Sequence, residues 1–496
     1  MSDACVLAID LGTGGPKVAV VDASGRTLAW RSCPVATTFI DGGGVEQDPH
    51  EMWSAIVQAT RATLEATSPT PPIAAVAVTS QYMSTVPVSA DGSPTGPCVL
   101  WMDTRGAEHN LSLLTDDAFM LFVERHGLIP LPSGNDNVAH VYSLQMHHPE
   151  SYAQAVAFVE PMDYVNARLT GRVCVTQSTA FGQLVCDNRT WGVTEYDPQL
   201  VAATGLNPDK LAPLVPMSGM IGEVTAWAAQ QLGVRAGTPV TTGTIDSITA
   251  AVGSGALDAS AGSVIIGTTS VMVTHIAELR GDLGSGILAV PSPLKGRYYV
   301  MAENGVGGRA LEWASRLLGL GDDIAAAVDE AGEVPVGADG VQFLPWLLGS
   351  IAPSPNDDVR AAWTGLSLRH DRRHLIRSAM EGVALNMAWL RPAVESFVGS
   401  SWPFLRFGGG GAHSDLWAQM LADALDRPVH QLVEPRATNA RGAAFLALVE
   451  LGAISVDDIP GLLHVHAVRD PHPGNRATMD AALAHLVRLH PTLAGS

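Results

Sequence analysis

Charge and cysteine are both scarce in this chain of 496 residues, and each shortage excludes something. Charged residues make up 16 %, and 29 Lys and Arg stand against 49 Asp and Glu, for a formal net charge of −20. That balance disfavours a nucleic-acid partner, which needs a basic face. The five cysteines, Cys5, Cys33, Cys98, Cys174 and Cys186, stand singly and form no CxxC pair. Scattered thiols of this kind point to a reducing compartment and argue against structural zinc or a disulfide framework. No apolar run approaches the ~18–20 residues of a membrane span, and the polar start lacks the pattern of a signal peptide. The expectation is a cytoplasmic protein with neither a membrane nor a nucleic-acid partner. The G-x-x-x-x-G-K-[ST] phosphate loop and the HExxH zinc helix are also missing, and His464, His466 and His472 in the tail read as loop residues.

What is present is apolar material and glycine. Hydrophobic residues amount to 47 %, ample for the two cores that a chain of this length implies. The 50 glycines matter because backbone N–H groups can hold an anionic nucleotide where side-chain charge is lacking.

Cys5–Asp10 reads as a buried strand, 11–17 as a glycine-rich turn, Val18–Asp22 as a second strand and Thr27–Trp30 as the start of a third. Strands at 73–79, 85–88 and 98–101 and helices at 52–64 and 161–169 make this half mixed α/β. Near residue 260 the pattern restarts: strand 263–266, the turn Gly267-Thr-Thr-Ser270, strand 271–274. The reading is a weak internal duplication, residues 1–254 and 255–496, with the halves packed across a cleft.

Four segments carry candidate chemistry. In the first hairpin, Gly12 and its neighbours let backbone N–H groups approach a phosphate, Thr13 offers a hydroxyl, Lys17 a charge, and Asp10 suits Mg²⁺ held through water. A plain tight hairpin is the alternative. Gly267 and Thr268 repeat that composition in the second hairpin, so the two turns are candidates to clamp the phosphates between them. Asp246 stands in the first turn of a helix after an apolar strand and a glycine; it either favours the helix dipole or accepts a proton from an attacking hydroxyl. Finally Phe404–Phe407 reads as a strand meeting Gly408-Gly-Gly-Gly411, followed by a helix from Asp415 with Ser414 as its N-cap, a backbone platform for an adenine or ribose.

In order and spacing these segments resemble the FGGY family of carbohydrate kinases over nearly the whole chain. The resemblance extends to Glu46-Gln-Asp-Pro49 with Trp53, Trp101-Met-Asp103-Thr-Arg105, Asp163-Tyr164 with Leu169-Thr-Gly171, and Asn304-Gly-Val-Gly-Gly308 with Leu311-Glu-Trp313. It implies an α/β actin/hexokinase-like (ribonuclease H-like) duplicated fold, two domains around a central cleft, with ATP and Mg²⁺ as cofactors and a small sugar or polyol as partner. By the same resemblance Asp246 is the general base and Asp10 handles the metal. Gly12, Thr13, Lys17, Gly267, Thr268, Gly307, Gly308, Gly410, Gly411 and Ser414 then serve the nucleotide, and Gln81, Tyr82, Met83, Trp101 and Asp103 the sugar. Homodimers are common in such enzymes.

Within the family, Leu100–Arg105 and the chain length resemble xylulokinases, which implies D-xylulose as substrate. Three departures keep another ketose or polyol open: Tyr82-Met83 in place of Met-His after Gln81, Ser247 in place of Asn after the base, and Gly14 and Pro16 in the first hairpin. The glycerol-kinase form of the sugar loop, with Arg-Glu after the Gln, is absent, which makes glycerol a poor fit. A nucleotide-gated sugar-sensing or binding protein is the alternative of another class.

Overall fold

The computed structural model describes residues 4–68 and 71–493. Its amino-terminal sheet begins with three antiparallel strands, β1 (Cys5–Gly12), β2 (Gly15–Asp22) and β3 (Thr27–Ser32). Residues 5–11 of β1 are all buried, the continuous apolar run of a strand covered on both faces. Helix α1 (Pro49–Ala66) then crosses over to β4 (Ile73–Ser80), which lies parallel to β1. Asp48 caps α1 by accepting the His50 N–H, and Pro49 sits in its first turn, where no amide donor is missed. After helix α2 (Pro161–Thr170), β5 (Met220–Glu223) and β6 (Pro239–Thr241) complete the order β5-β6-β4-β1-β2-β3, with the short β7 (Thr244–Ile245) also on β4. Helix α3 (Asp246–Gly253) leaves this sheet towards the second one.

The second sheet repeats the plan. β8 (Gly262–Ile266), β9 (Thr269–Ile276) and β10 (Tyr298–Val306) form the antiparallel meander. Helix α4 (Gly308–Leu317) follows β10, and helix α5 (Arg372–Val398) crosses over to β11 (Leu405–Gly408), parallel to β8. Helix α6 (Asp415–Leu425), β12 (Val429–Leu432), helix α7 (Thr438–Glu450) and β13 (Val465–Arg469) complete it. The order β10-β9-β8-β11-β12-β13 carries the same succession of antiparallel and parallel neighbours as β3-β2-β1-β4-β6-β5. The edges break the repeat: β5 precedes its partner in the chain whereas β13 follows it, and the second sheet carries two further strands, Ile287–Pro291 and Gly281–Asp282, beyond β10.

The duplicated α/β architecture is therefore present, and helices α3 and α7 pack on each other between the two sheets. Phe445 and Leu448 of α7 join the core cluster that holds β1 and β4, so a carboxy-terminal helix helps to close the amino-terminal core. Local corrections follow from longer ladders. β1 and β2 run to Gly12 and start at Gly15, so the first turn is only Thr13-Gly14, because each extra ladder pair satisfies backbone groups that a looser turn would leave to water. His466, expected in a loop, lies in β13, paired onto β12. Among the described residues no helix is long and apolar enough to cross a membrane.

Candidate active site

The first hairpin brings a carboxylate and an ammonium together because Asp10 and Lys17 are register partners on β1 and β2. Lys17 Nζ lies 3.3 Å from Asp10 Oδ2, while the buried Asp10 Oδ1 has no hydrogen-bond partner. The Lys17 pKa is pushed up, first by Asp10, partly opposed by burial, and further by Asp246. A buried, unoccupied carboxylate oxygen is the hard donor that a Mg²⁺-bound water would need, so Asp10 fits a metal–nucleotide complex. Among the described residues there is no group of three or more His, Cys, Asp or Glu that could hold a metal by itself.

Asp246 opens α3, directly after β7 has been laid beside the end of β4. Burial first, and the Asp10 charge second, push its pKa up to about 7, while Ser247 Oγ donates to its Oδ1 at 3.1 Å. A carboxylate held near neutrality is matched to proton abstraction at neutral pH. Facing it from the other sheet is Glu303 on β10, whose pKa also rises to about 7, by burial and then by the Asp246 charge.

The sugar-side residues form one hydrogen-bonded ring. Thr13 Oγ1 donates to Gln81 Oε1 at 2.7 Å and accepts from Trp101 Nε1 at 3.1 Å. Gln81 Nε2 reaches Gln47 Oε1 at 3.2 Å, and Gln47 Nε2 returns to the Thr13 carbonyl at 2.7 Å. The one hydroxyl hydrogen of Thr13 is thus engaged on the sugar side, away from the phosphate role expected of it. Tyr82 has a buried hydroxyl with no protein partner, its pKa raised by burial and then by Glu160 and Asp136. Met83 is held at φ 54°, a left-handed conformation that costs energy for any residue with a side chain.

Asp103, expected at the sugar, is fully buried and has both oxygens engaged. It accepts Val45 N at 2.8 Å and pairs with Arg105 at 2.6 Å. Arg105 also meets Glu46 at 2.7 Å, so Asp103 anchors the loop that carries Trp101 and leaves no lone pair to spare for a substrate.

On the nucleotide side the second turn is Gly267-Thr268, between β8 and β9. A Cβ on Gly267, Gly410 or Gly12 would have open space or only loose contact, leaving their backbone accessible to a ligand. Gly409 adopts φ +82°, and a Cβ there would stand 2.5 Å from the Ile266 carbonyl, which ties the glycine platform against the second hairpin. Ser414 Oγ caps α6 by accepting the Trp417 N–H at 3.1 Å. Gly307 and Gly308, expected at the nucleotide, give their N–H groups to the carbonyls of Thr268 and Gly267 at 3.1 and 2.8 Å. They brace the hairpin from behind, since a side chain would collide with it at 2.5–2.6 Å.

Two cleft residues escaped the sequence reading. Glu303 alternates with Tyr299 and Met301 on one face of β10, a period-2 signal that motif spacing does not weigh. Arg436 lies in the turn before α7, exposed, and its charge acts on both Lys17 of the first hairpin and His413 of the glycine platform. No sequence motif surrounds it.

Known proteins resemble this chain over nearly its whole length. Residues 5–253 match the model of the amino-terminal domain of the FGGY family of carbohydrate kinases, and residues 262–451 match that of its carboxy-terminal domain. The xylulose kinase of Bacillus subtilis is 26 % identical over 89 % of this chain and 87 % of its own length. The gluconokinase of Bacillus licheniformis is 25 % identical over 94 % of this chain and 92 % of its own. The crystal structure of a xyloylose kinase from Brucella ovis superimposes with a TM-score of 0.85 at 25 % identity, covering 99 % of both chains.

Proposed function

The chain belongs to the FGGY family of carbohydrate kinases, and on that footing we propose that it transfers the γ-phosphoryl group of ATP to D-xylulose, giving D-xylulose 5-phosphate. It is a sugar kinase that uses ATP. Asp246 takes the proton from the attacking hydroxyl, and its pKa near 7 supports that role. Lys17, the backbone of Gly12 and Gly267, and Arg436 balance charge on the phosphates. Mg²⁺, when bound with the nucleotide through Asp10, supplies further neutralisation of the transferring group. Gly410, Gly411 and Ser414 line the adenosine side.

The observation that carries the sugar assignment is the pair Asp246 and Glu303. Two carboxylates press on each other across the cleft, and Glu160 and Asp136 lie around Tyr82. A neutral ketose can donate hydroxyl hydrogens to such a site. An aldonate such as gluconate would add a negative charge beside carboxyl groups that already resist ionisation, which supports a xylulose kinase over a gluconokinase.

A coupled ADP-release assay with ATP and Mg²⁺ across D-xylulose, L-xylulose, D-ribulose, L-ribulose, glycerol, erythritol, arabinitol and D-gluconate tests this reading. D-Xylulose should give the highest kcat/KM. Preferred turnover of gluconate would overturn the substrate and the electrostatic argument together, and preference for another neutral member would overturn D-xylulose alone.

A further inference from the structure

A second cavity lies at the far end of the strands that build the nucleotide site. β8 and β11 run parallel, from Gly262 beside Leu405 to Ile265 beside Gly408. Their ends at Gly267 and Gly408 carry the second hairpin and the glycine platform. Their beginnings border a cavity of about 310 Å³. It is lined by the linker that follows α3, by Arg297, by Phe404 and Arg406 at the start of β11, and by residues 456–460 beyond α7.

We infer that this cavity is a binding site for a small phosphate monoester, with Arg406 as its anion-binding group. Arg406 Nη1 donates to the Gly255 carbonyl at 3.2 Å, and among the described residues Arg406 forms no ion pair with a carboxylate. In a chain with a net charge of −20, a half-buried guanidinium that lines a cavity and has no carboxylate partner leaves a place for an anion. Burial also lowers its pKa, the expected consequence of an uncompensated charge.

The second arginine is better satisfied. Arg297 donates to the Leu257 carbonyl at 2.9 Å and stands 3.6 Å from Asp258 Oδ2. Asp258 in turn accepts from the Ser260 N–H at 2.9 Å through its other oxygen, Oδ1. Asp457 also borders the cavity, and with Asp258 it limits the site to an occupant of modest charge.

Size and lining disfavour a nucleotide. Phe404 is already engaged: His430 stacks on it at 4.1 Å between centroids, and the Arg406 guanidinium lies 5.3 Å from its ring centre. The lining offers a base no second aromatic ring, and the volume sits at the small end of ligand sites. A phosphorylated polyol fits, its phosphate on Arg406 and its hydroxyls towards the Asp258–Ser260 turn. The lining joins the segment that follows α3 to the segment that follows α7, so an occupant bridges the chain just beyond the two helices that cross between the domains.

Titration calorimetry with ribose 5-phosphate, inorganic phosphate and ribose as probes tests the site on the full chain. The wild type should bind ribose 5-phosphate, and Arg406→Gln should weaken that binding about ten- to a hundredfold, the worth of a charge-assisted hydrogen bond. Arg406→Lys should restore part of the loss. Ser260→Trp, which fills the mouth of the cavity from an exposed position, should also weaken binding and serves where Arg406→Gln does not fold. Binding of inorganic phosphate with the same Arg406 dependence would support the oxyanion site. Affinity for the ester unchanged in both Arg406→Gln and Ser260→Trp, as binding in the catalytic cleft would give, would overturn it, as would no binding of either phosphate by the wild type.

Discussion

Gly253 and Gly442 meet where helices α3 and α7 cross, and neither has room for a side chain. A Cβ on Gly253 would stand 2.0 Å from the Thr438 carbonyl, and one on Gly442 1.8 Å from the Thr249 carbonyl. The backbones of the two interdomain helices are therefore in direct contact, and Asp246 sits two turns up one of them.

Gly442→Ala should destabilise the protein. In an unhindered helix this change gains up to about 1 kcal/mol, whereas forced separation of packed elements costs about 1–3 kcal/mol or more. A lower Tm together with a raised KM for both substrates is the expected result. An unchanged Tm would show that the helices can part freely.

Asp246→Asn should lower kcat by about 10²–10⁴-fold, the usual worth of a positioned general base, while nucleotide binding stays near normal. The same variant should be more stable than wild type above neutral pH. The wild-type carboxyl keeps its proton in the native state up to about pH 7 but loses it near 3.8 when unfolded, so stability falls as pH rises through that window. Denaturant titrations at acid and alkaline pH should show the advantage of the Asn variant growing across that interval and then levelling off.

Lys17→Met should move the acid limb of the kcat/KM profile to higher pH. Lys17 is the cation that holds the Asp246 pKa down against burial and the Asp10 charge. Without it the base keeps its proton longer. A profile that falls in amplitude without shifting would limit Lys17 to phosphate binding.

Arg105→Ala should cost about 3–5 kcal/mol of stability, because Asp103 and Glu46 would be left buried without their cation. The loop bearing Trp101 should loosen with it, so KM for the sugar should rise in whatever fraction remains folded. Near-normal Tm and KM would mean that this buried cluster bears no part in shaping the site.

Glu303→Gln should raise kcat/KM for gluconate relative to a neutral ketose by roughly tenfold or more, the effect of removing one like charge from a partly desolvated site. Equal ratios in variant and wild type would remove Glu303 from substrate choice.

Much of the fold was legible before any coordinates. β1 is a continuous apolar run, the turns at Gly12–Gly15 and Gly267–Thr268 are glycine-rich, and Ser414 stands where an N-cap belongs; these are local properties, set by strand burial, backbone freedom and side-chain capping within a few residues. Asp246 could be picked out in the same way, from its place in the first turn of a helix after a strand and a glycine. Its protonation, however, depends on burial and on Asp10, more than two hundred residues away in sequence, which no local pattern encodes.

The remaining features belong to the tertiary structure. Thr13 has the composition of a phosphate ligand, yet its hydrogen goes to Gln81, because β1 and β4 lie side by side and the two residues meet at their ends. Asp103 looks like a sugar ligand until Arg105 and Val45 close on it. Gly307 and Gly308 look like nucleotide contacts until their N–H groups are found on the second hairpin. A sequence states which donors and acceptors exist. Folding decides which of them are already paired, and only those left over, such as Asp10 Oδ1, are free for chemistry.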